Sequence, residues 1–154
     1  MHATLLALHS LTRWAVLVFI IYSVYRAFTG LTKGRKFSKT DNALRHWTAT
    51  IAHIQLMIGM ILYTQSPVVK YFWSSTKSAG QNLEVAFYGL IHLTMMLAAI
   101  IVLTIGSAMA KRKRTDKEQF KTMLVFFSIA LFIIFVAIPW PFSPLANRPY
   151  TRTF

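Results

Sequence analysis

Four apolar blocks separated by polar segments dominate this chain of 154 residues. A hydropathy window of about 19 residues, the length suited to a bilayer, places candidate spans near residues 5–28, 44–64, 83–110 and 123–138. An apolar segment of this length crosses lipid as an α-helix, which satisfies its backbone hydrogen bonds within the segment. Because these blocks occupy most of the sequence, we predict one integral membrane domain over residues 1–154. It is expected to be an all-α transmembrane four-helix bundle that contacts the lipid bilayer.

The basic residues indicate the orientation of the bundle. Most of the 17 lysine and arginine residues lie in or beside the first and third loops, for example Lys33, Arg35, Lys113 and Arg114. These loops share one side of a four-span protein, and the positive-inside rule places them in the cytoplasm. Both termini are then predicted on the outer, periplasmic side. This topology accounts for the net charge of +13, so the charge does not indicate nucleic-acid binding.

The lack of cysteine restricts the chemistry open to the chain. It excludes disulfides, zinc thiolates, iron–sulfur clusters and covalent haem attachment, so any haem must be held non-covalently. The sequence also contains no nucleophile paired with a base, no phosphate-binding loop and no dinucleotide fingerprint. Together these absences favour an electron-transfer protein over an independent enzyme.

Two histidines, His53 and His92, lie inside the predicted second and third spans. Ionisable side chains at membrane depth are unfavourable, usually face the bundle interior and commonly mark functional sites. Counted from the outer ends of the two spans at about 1.5 Å per residue, their depths agree within about 3 Å. Two imidazoles facing each other across a bundle are a common way to hold the iron of a b-type haem. We therefore predict one haem b, with His53 and His92 as its iron ligands.

His9 and Arg13 are four residues apart and share one face of the predicted first helix. His9 falls in the same outer half of the bundle, so it is an alternative axial partner for either of the other two histidines. Arg13 lies roughly ten residues into its span, where a guanidinium requires an anion or a polar cavity. A haem propionate would be such an anion. With His53 and His92 as ligands, we expect His9 and Arg13 to lie near the propionates.

Four short strings in the chain carry a resemblance to a known family. They are His9-Ser10-Leu11-Thr12-Arg13-Trp14, His53-Ile54-Gln55-Leu56-Met57-Ile58-Gly59, Ile91-His92-Leu93-Thr94-Met95-Met96 and Ile138-Pro139-Trp140-Pro141-Phe142. In these strings, and over nearly its whole length, the chain resembles a family of short four-span bacterial membrane proteins described as cytochrome b-like. The resemblance implies haem binding and electron transport in the bacterial inner membrane. A chain with such small polar loops is expected to act as a subunit or accessory that works with other membrane subunits or quinol.

Two other functions also fit the sequence. The pairs His53–Met57 and His92–Met96 each combine an imidazole with a thioether one helical turn away, a ligand set suited to copper(I). Alternatively, the chain is a non-catalytic structural subunit of a membrane complex, and its histidines form hydrogen bonds between helices.

Two features flank the second apolar block. Thr40 or Asp41 is positioned to cap the helix that follows the first loop. Beyond the block, the run Tyr71-Phe72-Trp73 indicates an aromatic belt, on a short helix lying in the outer interface.

Overall fold

The computed structural model describes residues 2–146 and residue 150, apart from the side chains of His2 and Ala79. The predicted domain of residues 1–154 includes residues 1, 147–149 and 151–154, which lie outside this described part. Within the described part the regular structure is entirely helical. The helices are α1 (His2–Thr32), α2 (Lys39–Gln65), α3 (Pro67–Ser74), α4 (Thr76–Ala79), α5 (Leu83–Ala86), α6 (His92–Arg112) and α7 (Asp116–Ala137), and a π turn (Phe87–Ile91) joins α5 to α6.

Four helical segments are long and apolar enough to cross a membrane, as a multi-pass membrane protein requires. They are Ala3–Thr32, Lys39–Gln65, Leu83–Arg112 and Asp116–Ala137, of which the third runs continuously through α5, the π turn and α6. The predicted all-helical class with four potential spans is therefore confirmed. The predicted orientation of the termini stays a prediction.

Helices α2 and α7 begin earlier than their apolar blocks because polar caps start them. Ser38 is the N-cap of α2: its hydroxyl accepts from the Asp41 amide, and the Asp41 carboxylate accepts from the Ser38 amide. The expectation of Thr40 or Asp41 as the cap was wrong about the N-cap residue, which is Ser38, although Asp41 does take part as the second member of the capping box. Thr115 caps α7, which begins at Asp116, well before the predicted boundary at residue 123. A hydropathy window does not detect these two helix starts, since the first turns of both helices are polar.

The four long helices form a closed ring. Helix α1 packs against α2 and α7, while α6 packs against α7 and α2. Glycines allow the closest approaches: a Cβ at Gly30 would overlap the Phe120 ring, and one at Gly106 would overlap the Phe126 side chain. The buried core includes Ile20, Leu103, Phe120, Met123 and Phe127. The loops 33–38 and 113–115 meet at one end of the ring, called here the basic end, and the opposite end is called the cavity end.

A buried polar network fixes α1 against α2 near the basic end. Asp41 is fully buried and accepts from both Nε and Nη2 of Arg26, at 2.9 and 2.7 Å. Two turns further along α2, the hydroxyls of Ser23 and Thr48 are hydrogen-bonded at 2.7 Å. These pairs set the antiparallel register of the two helices.

The short helix α3 lies over the cavity end and confirms the helix predicted around the aromatic run. Its Phe72 is buried against Gly89, where a Cβ would overlap the phenyl ring. Tyr63 ties the same region together, because its hydroxyl donates to the Gly89 carbonyl at 2.7 Å and accepts from Trp73 Nε1 at 2.9 Å. The π turn that contains Gly89 is thus held from α2 and from α3.

Candidate functional site

A cavity of about 220 Å³ lies between the four long helices towards the cavity end. Its walls are mostly apolar and carry a few polar groups, as ligand sites in helix bundles commonly do. The polar and sulfur-containing side chains that line it are His9, Ser10 and Arg13 of α1, Gln55, Met60 and Tyr63 of α2, Ser66 between α2 and α3, and Tyr88, His92 and Met96 of the third span. The structure therefore brings together three of the four predicted site residues, His9, Arg13 and His92.

Contacts between neighbouring helices place His9 and His92 in one layer of the bundle. The His9 ring lies against Gly59, where a Cβ would come within 3.1 Å of its Cε1 atom. His92 contacts the last residue of α7, Ala137. Tyr63, one turn beyond Gly59, reaches Gly89, which lies nearly one turn before His92. Each of the four long helices thus contributes to the layer.

His92 is held in one orientation by the end of α7. Its Nδ1 is 2.8 Å from the Ala137 carbonyl oxygen. Because a carbonyl only accepts, Nδ1 must carry the proton and the other ring nitrogen, Nε2, keeps its lone pair. When an imidazole binds a metal through one ring nitrogen, its other ring nitrogen commonly donates to a backbone carbonyl, which fixes the orientation of the ring. His92 has this second contact.

The proline-rich segment after α7 explains why this carbonyl is available. Pro139 forces Ile138 into an extended conformation and ends the helix at Ala137. Neither Pro139 nor Pro141 has an N–H with which to bond back to α7. The Phe135 carbonyl is bonded instead by Trp140 Nε1 at 2.8 Å, and the Ala137 carbonyl by His92. The end of one span therefore orients a histidine of another.

His9 is fixed from α2. The Gln55 amide donates to the His9 carbonyl at 2.9 Å and lies 3.4 Å from the His9 ring nitrogen Nε2. The hydroxyl of Thr12 also contacts the Gln55 side-chain oxygen. The other ring nitrogen, Nδ1, is buried and has no hydrogen-bond partner among the described residues. A buried nitrogen without a hydrogen-bond partner lowers the stability of the folded protein unless another group pairs with it.

Arg13 lies one turn from His9, at the edge of the cavity. Its guanidinium lies over the Trp14 ring at 5.4 Å and near the Trp140 ring at 6.0 Å. One of its terminal nitrogens donates to the Tyr150 carbonyl. Two aromatic faces and a carbonyl stabilise the positive charge. The guanidinium thus brings a positive charge to this edge of the cavity.

His53 does not lie in the cavity. Its ring is exposed on the outside of the bundle, with Nδ1 at 2.7 Å from the Ala49 carbonyl and Nε2 at 3.3 Å from the Thr104 hydroxyl. Thr104 lies about three turns along α6 from His92, so the two histidines differ in depth by about 10 Å or more. The expected match in depth was therefore wrong, because it assumed that the two spans end at the same level. The structure does not bring His53 and His92 together.

The two histidine–methionine pairs that were predicted to bind copper, His53–Met57 and His92–Met96, also lie apart from each other. Met57 is 66% exposed and points outward beside His53, whereas His92 and Met96 line the cavity. Met60, the residue after Gly59, lines the same cavity. Among the described residues no cluster of three or more His, Cys, Asp or Glu side chains is close enough to hold a metal ion.

Sequence reasoning missed Gln55, Gly59 and Tyr63 as parts of this site. Gln55 had a signal of its own, since an amide in an apolar span needs partners just as an imidazole does. Gly59 had none, because glycine is common in membrane helices for ordinary close packing.

Comparison of the chain with protein-family models, curated proteins and solved structures finds no match. The resemblance to cytochrome b-like proteins therefore stays a prediction, and the functional argument depends on the cavity itself.

Proposed function

We propose that this chain binds one b-type haem non-covalently in the cavity, with His9 and His92 as the axial ligands, and relays electrons in the bacterial inner membrane. The observation that carries the proposal is that two imidazoles from different spans line one cavity: His92 is anchored through Nδ1 alone, and His9 has a buried Nδ1 without a hydrogen-bond partner among the described residues. This pairing differs from the predicted pair of His53 and His92. It keeps His92 and replaces His53 with His9, which the sequence offered as an alternative ligand.

The residues of the cavity fit the group. His92 has its Nδ1 anchored on Ala137, which leaves Nε2 for a metal, and His9 has a buried Nδ1 that lacks a partner among the described residues. Gly59 gives the His9 ring room against α2. Arg13 would hold a propionate by a charge-assisted hydrogen bond, as predicted. Haem, when bound, supplies reversible one-electron chemistry at its iron.

The protein's own residues would set the properties of that chemistry. The Ala137 carbonyl makes the His92 imidazole a stronger electron donor by accepting a hydrogen bond from its Nδ1–H group. The apolar walls, which include Leu56, Ile100 and Ile134, exclude water and lower the local dielectric constant. We propose that the electrons come from quinol or another membrane subunit and that the chain works as a subunit or accessory of a redox complex.

Copper handling is a second candidate with an observation in its favour. Met60 and Met96 line the same cavity as His9 and His92, so thioether and imidazole ligands for copper(I) are present together. The set differs from the one predicted from the sequence, since Met60 and His9 take the places of Met57 and His53. A structural subunit without a cofactor is the remaining alternative.

An optical spectrum of the detergent-purified protein, made with ample haem, tests the proposal. We expect a Soret band and, after reduction with dithionite, the sharp α and β bands of six-coordinate low-spin haem. His9→Ala or His92→Ala should remove the low-spin bands, because either change deletes an axial ligand. His53→Ala is the matched control and should leave the spectrum unchanged, since this ring lies outside the cavity.

The other outcomes separate the alternatives. Loss of the bands in His53→Ala with retention in His9→Ala would contradict the proposed ligand pair. A protein without a Soret band that carries copper, and loses it in Met60→Ala or Met96→Ala, would support copper handling. A colourless and metal-free protein would support a structural subunit.

A further inference from the structure

Helix α2 carries an unusual stripe on its exposed side, called here the α2 stripe. Its members are spaced alternately by three and four residues, and they are Ala43, His46, Thr50, His53, Met57, Met60 and Thr64. All are exposed except Thr50, which is half-buried. Alternating steps of three and four residues give the seam along which two helices pack at a shallow, left-handed crossing angle.

The α2 stripe is poorly suited to lipid. Helix α2 has the lowest mean hydropathy of the four spans, 1.2 against 1.8, 2.2 and 2.4, yet only 22% of its most apolar window is buried. His53 is exposed near the middle of the helix. Ionisable side chains at membrane depth rarely face lipid, even when their nitrogens are hydrogen-bonded. These observations point to a protein partner for this face.

Helix α6 extends the same surface. Thr104, whose hydroxyl approaches His53, is exposed, and so are Thr94, Leu97, Ile101 and Ala108 at matching steps of three and four residues. Threonine and alanine are typical of contacts between membrane helices, because they allow close approach and offer hydroxyls for hydrogen bonds. The partner would therefore lie in a groove between α2 and α6.

We propose that the partner is a second copy of this chain, joined through the α2 stripe about a two-fold axis along the membrane normal. Such an axis makes α2 run parallel to its copy, so that each residue meets its own counterpart at the same depth. Like charges would repel there, but residues 46–69 contain no lysine, arginine, aspartate or glutamate, and Lys39, which continues the stripe, lies exposed in the first turn of α2 at the basic end. The threonine hydroxyl and the neutral imidazole both donate and accept, so each can bond to an identical group.

This interface is separate from the proposed cofactor site. His53 and Met57 do not line the cavity, whereas Met60 belongs both to the α2 stripe and to the cavity wall. The second copy would thus pack beside the cavity without contributing a ligand to it. The dimer does not depend on haem binding.

Disulfide cross-linking tests the dimer directly, because the natural chain has no cysteine and each variant carries a single one. Met57→Cys puts a thiol at the centre of the α2 stripe. Phe132→Cys is the matched control: Phe132 is 70% exposed, against 66% for Met57, but it lies on α7 across the ring from α2. After oxidation in native membranes, we expect most of the Met57→Cys protein, and little of the Phe132→Cys protein, to run at twice the monomer mass.

Maleimide labelling of the same protein after denaturation in detergent checks that both variants carry a free thiol before oxidation, so that a missing cross-link means the two thiols are not adjacent in the membrane. A reactive Met57→Cys protein that stays monomeric would overturn the dimer, including the case in which a different subunit covers the stripe. Equal cross-linking of both variants would also overturn it, since that pattern reflects random collisions. Neither change alters a cavity ligand, and the haem spectrum of each variant reports separately on the proposed function.

Discussion

At the scale of single residues, Gly59 controls the position of the His9 ring. Any side chain at this position starts 3.1 Å from the ring, tighter than an ordinary contact. The ring has little freedom to retreat, because Gln55 holds the His9 backbone and lies beside the other ring nitrogen. A methyl group at residue 59 would therefore mainly displace the His9 ring.

We predict that Gly59→Ala weakens haem binding several-fold while leaving the fold intact. Replacing a helical glycine by alanine stabilises a helix by about 1 kcal/mol, which offsets part of the local strain. Haem titration of the purified apoprotein measures the affinity, and thermal unfolding measures the stability. Unchanged haem affinity in Gly59→Ala would argue against His9 as a ligand.

Gly106→Ala is the comparison. Its methyl group would overlap Phe126, where α6 and α7 meet away from His9. It should lower the melting temperature more than Gly59→Ala does, because two core helices must separate to admit the methyl group. The haem spectrum of the folded fraction should remain that of the unchanged protein.

At the scale of elements, Tyr63 joins three segments. Its hydroxyl links α2 to the Gly89 carbonyl of the π turn and to Trp73 of α3. Helices with π turns have a carbonyl displaced from the regular ladder, and such turns are frequent at functional sites. Here the turn immediately precedes His92, so its geometry affects where that imidazole lies.

We predict that Tyr63→Phe destabilises the cavity end by about 1–2 kcal/mol, because its hydrogen bonds to Gly89 and Trp73 are both lost. Hydrogen exchange should speed up in residues 87–92 more than in α1 or α7. Tyr71→Phe is a suitable control, since Tyr71 lies on α3 but is half exposed. Equal protection in the two variants would mean that Tyr63 does not hold the π turn.

The sequence predicted these elements better than it predicted which of their faces meet. Hydropathy located all four spans, since length and apolarity suffice for that. It could not locate the inner face of α2, because membrane helices are apolar both towards lipid and towards the bundle. His53 is two residues from Gln55, about 200° around the helix, so one faces outward when the other lines the cavity. The depth of His92 relative to α2 depended on the contact between Tyr63 and Gly89, which no local pattern shows.

At the scale of the whole molecule, charge is distributed unevenly between the two ends. The basic end carries Lys33, Arg35, Lys36, Lys113 and Arg114 in its two short loops. The connection at the cavity end, from Gln65 to Leu83, carries only Lys70 and Lys77. This asymmetry is the basis for the predicted orientation with both termini in the periplasm.

Single cysteines also test that orientation. We predict that a membrane-impermeant maleimide labels Ser78→Cys in intact cells, because residue 78 lies at the cavity end, which the predicted orientation puts in the periplasm. Thr115→Cys, in the loop at the basic end, should be labelled only after the membrane is permeabilised. Both side chains are exposed, so accessibility within the fold does not separate them. The reverse pattern would invert the orientation, and it would place the cavity nearer the cytoplasm.

The two fixed points between α1 and α2 limit how the gene can vary in length. Arg26 meets Asp41 near one end of the pair, and the His9 ring meets Gly59 near the other. Asp41 and Gly59 are roughly five full turns apart, and for that reason both face α1. One codon inserted between them would rotate Gly59 by about 100° relative to Asp41. Either the contact of Asp41 with Arg26 or the contact of Gly59 with His9 would then be lost. Insertions and deletions should therefore be tolerated in the connection after α3 and eliminated between these two positions.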